Sequence, residues 1–170
     1  MKMNAEKPEA KALTLDERSN AIIVSFDSKW HQPFLNSEFS VVIRKRVPRD
    51  RTFEWIYAHI KSPIGAICGR ARIKSIGTMG ADQALSLYKS INLSKDEIAE
   101  YISGEDSIGF YAIDQYDIAI NPANTELIND YLKYSPPQSF TILSTVAKKT
   151  IDEICGFDNS FPLKALNLEA

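Results

Sequence analysis

Asn36-Ser-Glu-Phe-Ser-Val-Val-Ile-Arg-Lys-Arg-Val-Pro-Arg-Asp-Arg51 begins as an alternating strand and ends in a basic, proline-broken turn. Between Glu38 and Arg46 the odd positions carry Phe39, Val41 and Ile43, and the even ones Glu38, Ser40, Val42, Arg44 and Arg46. Successive side chains of a strand point to opposite faces. The spacing therefore predicts one face in a core and another presenting two guanidinium groups about 6.6 Å apart. Five cations, Arg44, Lys45, Arg46, Arg49 and Arg51, fall within eight residues. Such a strand is either a solvated edge balanced by acids across the sheet or the wall of a basic groove. A second basic strand favours the groove: along Ala66–Ile76, Ile67, Gly69, Ala71 and Ile73 alternate with Cys68, Arg70, Arg72 and Lys74.

The 170 residues suit one domain with tails, and 44% hydrophobic with 25% charged residues is ordinary for a globular chain. The net charge of −2 hides an uneven distribution. From Phe39 to Ile76 nine cations (the five above with Lys61, Arg70, Arg72 and Lys74) face two acids, Asp50 and Glu54. From Ser90 to Asp130 nine acids face Lys95 alone, so the molecule is dipolar with a basic half. Cys68 and Cys155 are far apart, and with only His31 and His59 a zinc site is poorly supported. Cys68 reads as a small core residue. No metal or cofactor is expected. No run approaches membrane-spanning length and the first residues form no apolar signal segment, which predicts a cytoplasmic protein without membrane contact.

Residues 1–20 read as a mobile arm, 21–155 as a single domain and 156–170 as a tail. Ala21–Phe26 is a short apolar run, a buried strand. Asp27 or Ser28 caps a short helix to Leu35, with Trp30 and Phe34 four residues apart on one side. Pro48 ends the basic strand. Thr52–Ile60 is a strand with Phe53, Trp55 and Tyr57 on one side, and Lys61–Gly65 is a turn. Ala81–Ser90 is helical, and Ser94-Lys-Asp-Glu97 is a capping box for a helix that Gly104 stops. Ile108–Ile120 is a long strand broken near Gln115. Asn124 or Thr125 caps a helix with Leu127, Ile128, Tyr131 and Leu132 inward, and Thr145–Cys155 is a last helix ended by Gly156. Short strands with helical excursions suggest an α+β protein, a small mixed β-barrel with helices packed at its ends. Glycine-rich phosphate loops and Ser/His/Asp arrangements are absent, and Gly77–Gly80 matches a nucleic-acid clamp only weakly.

Leu35, Ser37, Ser40-Val41 and Arg44, followed by Pro63–Gly69 and by Pro136-Pro137-Gln138-Ser139-Phe140, resemble the pattern of the ASCH domain, part of the PUA-like superfamily. The resemblance covers about Ala21–Leu143, and the double proline before Gln-Ser-Phe is its most specific piece. It implies a small PUA-like β-barrel with a cleft, and a role in RNA binding or RNA-linked regulation. Some members of the family are small amidohydrolases acting on N-acetylated cytidine, and others are reported as nucleases. Here the lysine position of the family's strand is Phe39 and its glutamate position is Val42, and no acid lies between Glu54 and Asp82. A hydroxyl nucleophile needs a base and an orienting group; Ser40 has neither by sequence, which favours binding over hydrolysis.

The expected ligand is RNA or a nucleotide. Arg44, Arg46, Arg70 and Arg72 would pair with phosphates through their planar forks. Trp30, with Trp55 and Tyr57 as further candidates, would stack on a splayed base, although core packing is the better reading of Trp55. Ser25 and Lys29 flank the expected cleft, and Gln138 and Ser139 would read a base edge or pin the proline loop. Two alternatives stand beside this reading. One is an amidohydrolase or nuclease using Ser40 with Lys29 or Lys45; the other is a protein-interaction module docking a basic partner through the acidic helices.

Overall fold

The structure is a computed structural model describing residues 17–49, 52–132 and 139–158, without the side chains of 127 and 130–132. Six strands form one mixed sheet: β1 (Arg18–Phe26), β2 (Val41–Arg44), β3 (Trp55–Ile60), β4 (Ala66–Gly80), β5 (Ser107–Asn124) and β6 (Thr141–Ser144). Their order is β2-β5-β4-β3-β1-β6. Only β1 and β3 run parallel, with Ile22 opposite Ile56 and Ser25 opposite His59; all other pairs are antiparallel. The helices are α1 (His31–Leu35), entered from a 3-10 turn at Ser28–Trp30, then α2 (Ala81–Ser86), α3 (Tyr88–Ile91), α4 (Lys95–Ile102), α5 (Thr125–Leu132) and α6 (Thr145–Cys155). No helix among the described residues is long and apolar enough to cross a membrane.

Both faces of the sheet are covered, which is why β1 and β3 read as continuous apolar runs. On one face Ile22, Val24, Phe26, Ile56 and Cys68 pack with Phe34 of α1 and with Phe39. The Phe34 ring packs against Gly69, where a Cβ would come within 2.6 Å of both the ring and the Asp117 carbonyl oxygen. On the other face Ala21, Ile23, Tyr57 and Ile67 meet Ala147, Ile151 and Cys155 of α6. A third cluster joins Ile43, Met79 and Ile108 to Ala84, Ile91, Ile98 and Ile102 of α2–α4. Cys68 is a core residue, and burial pushes its thiol up to about 11.

The structure corrects several expectations. The sheet is not closed into a barrel: β2 and β6 are its backbone edges. It is nevertheless strongly curled. Arg44 of β2 lies 4.7 Å from the Phe26 ring and donates to the Ser25 carbonyl oxygen of β1, although β5, β4 and β3 separate the two strands in the sheet. Side chains, rather than backbone pairing, span the gap. The strand around Arg44 is also short. Phe39 turns into the first core beside Val42, while Val41 and Ile43 face the third cluster, so both faces of β2 are buried at its centre. Three register shifts in the β4–β5 ladder break the alternation read along Ala66–Ile76. β1 begins at Arg18, inside the stretch read as an arm. Phe53 precedes β3 and joins the first core, whereas Tyr57 faces the second.

Other local signals hold. Ser94 and Glu97 form the reciprocal capping box of α4, α6 is followed by Gly156 at φ 76°, and Gln115 takes φ 48° where the ladder shifts within β5. Asn124 Oδ1 accepts from the Glu126 amide at the start of α5, and Ile128 is buried. The inward placement of Leu127, Tyr131 and Leu132, and Pro136–Gln138, lie outside the described residues.

Candidate functional site

The gap bridged by Arg44 opens into a cleft of about 290 Å³ between the ends of β1 and β3, β2, and the α3–α4 region. Arg44 forms its inner wall. Its guanidinium lies over Phe26, with Nη1 donating to the Ile43 carbonyl (2.7 Å) and Nη2 to that of Ser25 (3.1 Å). Burial pulls its pKa below the ordinary value, with Tyr101, Tyr111 and Asp27 acting in the opposite direction; an arginine stays charged regardless. Tyr111, the register partner of Val42, is fully buried with a hydroxyl that bonds no other described residue.

Two cations stand at the mouth. Lys29 lies 3.8 Å from Glu97 and Lys61 lies 3.3 Å from Asp27, with the lysines 62% and 51% exposed. Ion pairs this exposed hold little energy, so an anionic ligand can displace the carboxylates. Trp30 packs edge-on against Phe39 at 5.1 Å, and Lys29 Nζ lies 5.9 Å from its ring. Tyr101 also lines the cleft. The Ser94–Glu97 capping box fixes the start of the helix that carries it; the Ser94 amide, which Glu97 accepts from, holds the Glu97 carboxyl below its usual range. Phosphate charge and an aromatic base are the complementary ligand features.

Of the residues singled out by sequence, Ser25, Lys29, Trp30, Arg44 and Ser139 line this cleft together. Ser25 meets Arg44 through its carbonyl. Its hydroxyl is 3.0 Å from His59 Nδ1, and His59 Nε2 is 3.0 Å from Thr125 Oγ1, which donates to the Gly65 carbonyl. Thr125 spends its one proton there, so Nε2 carries the imidazole proton and Nδ1 accepts from Ser25. This chain ties β1 to α5 and is packed on the strands.

Arg70 and Arg72 do not join Arg44 in one groove. Arg70 is 1% exposed on the opposite face. Its Nε donates to Asp117 (2.9 Å), Nη1 to the Tyr57 hydroxyl (3.3 Å) and Nη2 to the Asp158 carbonyl (3.1 Å), and the guanidinium stacks 3.8 Å from Trp55. Tyr57 donates to Asp152, which also pairs with Lys148 at 2.9 Å. Burial pulls the Arg70 pKa down, yet Tyr57, Asp117 and Asp152 outweigh it and the net shift is upward. The cluster fastens α6 to the sheet. It also removes Tyr57 from the stacking candidates. Arg72 is half-exposed, 3.7 Å from Asp114 and 3.4 Å from Gln115. Acids across the sheet thus balance these two arginines, the alternative that the strand pattern left open.

Arg46 lies with Lys45 and Arg49 in a separate groove. Ser40 opens into a third, beside Lys89 and Tyr116, while Lys29 is in the cleft and Lys45 in the basic groove. The three residues considered for hydrolysis are therefore not brought to one site. Gln138 lies outside the described residues. Among the described residues no group of three or more His, Cys, Asp or Glu could hold a metal ion. Sequence reasoning missed Lys61, Tyr101, Phe39 and Asp27. Tyr101, the one aromatic residue of α4, was the available signal. Lys61 and Asp27 follow the ends of two parallel strands, but their meeting depends on that pairing.

This six-stranded mixed sheet with helices over both faces matches the fold of the ASCH domain, as the motifs around Arg44 and Ser139 suggested. Solved structures with this fold include those of the ASCH protein from Zymomonas mobilis and its mutants. One mutant aligns at TM-score 0.73 and 17% identity over 81% of this chain and 96% of that chain; the unmutated protein aligns at 0.73 and 17% over 79% and 95%. The N-terminal domain of Staphylothermus marinus McrB is more distant, at TM-score 0.53 and 12% identity over 80% and 94%. No family model and no curated protein matches the chain. At these identities the likeness is one of fold.

Proposed function

We propose that this chain is a nucleic-acid-binding module, with RNA as ligand, that takes one nucleotide into the cleft between β1 and β2. The observation that carries the reading is the Arg44 guanidinium, held at the cleft wall by two backbone carbonyls and the Phe26 ring, with Lys29 and Lys61 at the mouth. Both of its assigned hydrogen bonds go to neutral carbonyls, so a bound phosphate would supply the opposite charge. The cleft volume suits a nucleobase rather than a duplex, and Trp30 and Tyr101 in its lining offer aromatic surface.

Support from the fold is coarser: the solved ASCH structures share the architecture. The acidic residues of α4 are exposed, and Glu97 stands at the cleft rim, where it is paired with Lys29. That position suits control of cleft access better than a separate docking surface. The test is a titration of fluorescent single-stranded RNA at several salt concentrations. Binding should weaken steeply with salt, because each neutralised phosphate releases counterions. Affinity that is absent at low salt, or independent of salt, would refute the reading.

A further inference from the structure

Among the described cations between Phe39 and Ile76 the fold separates two groups. Arg70 and Arg72 are held by Asp117, Asp152 and Asp114. Lys45, Arg46 and Arg49 are exposed and form no ion pair with any described residue. They line a second groove of about 370 Å³ whose floor is Gly77, Thr78 and Gly109 on the neighbouring strands β4 and β5. A floor without large side chains lets an extended chain approach the sheet closely.

The loop bearing these cations is fixed. Pro48 is buried, and Val47 fills the space beside Gly109, where a Cβ would lie 2.8 Å from the Val47 side chain and 2.7 Å from the Arg44 carbonyl oxygen. Two apolar anchors inside five residues therefore hold three cations outward. The groove also adjoins the cleft. Lys45 Nζ lies 5.7 Å from the centre of the Tyr101 ring, and Tyr101 lines the cleft. Arg44 and Lys45, consecutive in sequence, thus lie on the cleft side and the groove side of one aromatic wall.

We infer that Lys45, Arg46 and Arg49 form a phosphodiester track continuing from the cleft, so that the ligand is a single strand several nucleotides long rather than a mononucleotide. This rests on the nucleic-acid reading of the cleft. Single strands suit the site because one base enters the cleft while neighbouring phosphates follow the loop, whereas a duplex keeps its bases stacked.

The test compares uridine monophosphate with an eight-nucleotide oligouridine, on the full chain and on the Lys45→Gln/Arg46→Gln/Arg49→Gln variant, with thermal unfolding as the fold control. The octamer should bind the wild type more tightly than the mononucleotide. The variant should lose at least tenfold in octamer affinity and keep its mononucleotide affinity. Its salt slope should flatten by about 2, at roughly 0.7 per phosphate for single strands. Equal octamer binding by a folded variant overturns the track and leaves the cleft reading standing. Equal loss for both ligands also overturns it, because the cations would then act on the cleft itself. If the wild type binds neither ligand, the track and the nucleic-acid reading fall together.

Discussion

Arg70→Gln separates the two roles that the sequence assigned alike to the strand arginines. The guanidinium is 1% exposed, and its removal leaves Asp152, also 1% exposed, without one of its cationic neighbours. Truncating one partner of a buried ion pair costs about 3–5 kcal/mol, chiefly because a charge stays buried uncompensated. Asp152 retains Lys148 at 2.9 Å and the Tyr57 hydroxyl, and Asp117 is 43% exposed. These place the expected cost near the lower end, about 3 kcal/mol. Arg72→Gln removes a half-exposed pair at 3.7 Å and should cost no more than about 1 kcal/mol. Urea unfolding followed by tryptophan fluorescence reads both, since Trp55 stacks on Arg70. The folded Arg70→Gln protein should bind RNA as the wild type does. A stability loss below about 1 kcal/mol, or a tenfold loss of affinity in protein shown to be folded, would refute a structural role for Arg70.

Trp30→Ala should lower RNA affinity by about tenfold or more, since stacking on a base is worth roughly 1–3 kcal/mol; unchanged affinity in a fluorescence-independent assay would leave the ring as packing for Phe39. His59 is held neutral, its pKa lowered first by burial and then by Lys61. The unfolded chain therefore takes up this proton first, and the associated stability, full above about pH 6.5, is lost as pH falls through the lower folded value. Urea midpoints should drop less between pH 7.5 and 5.5 in His59→Gln than in the wild type, and an equal drop would contradict this. Gly109→Ala should destabilise the fold by about 1–3 kcal/mol through overpacking against Val47 and the Arg44 carbonyl; thermal unfolding unchanged from the wild type would show that the loop yields freely.

Signals confined to one turn or one helix were legible. Ser94 and Glu97 announce the start of α4 because both halves of the capping box lie within four residues. Thr145 and Gly156 mark the bounds of α6 equally well. Long-range geometry was not legible. The shifts at Ile67/Gly69, Ala71/Arg72 and Ile73/Ser75 each reset which side a residue faces, so Arg70 went to the face opposite Arg44. Val42 falls among the even positions with Arg44 and Arg46 yet is buried, because a strand between helices and a curled sheet can bury both sides. Barrel closure depends on pairing between strands remote in sequence, and here a side chain bridges the gap instead. Ser25, Lys29, Trp30 and Arg44 could be found because Ser25 lies near the end of one strand, Lys29 and Trp30 follow it closely, and Arg44 belongs to the ASCH-like motif. Tyr101 and Lys61 reach the cleft only through tertiary packing.

Under the proposed function Arg44 meets the charge of a nucleic acid in the cleft. Its most direct test is the affinity of single-stranded RNA for Arg44→Gln measured beside Arg72→Gln, each confirmed as folded by its unfolding curve. A charge-assisted contact is worth about 1.5–3 kcal/mol, so Arg44→Gln should bind roughly ten- to a hundredfold more weakly, with a flatter salt dependence, while Arg72→Gln stays near the wild type. Equal affinities for Arg44→Gln and the wild type, or a greater loss in Arg72→Gln, would contradict the account.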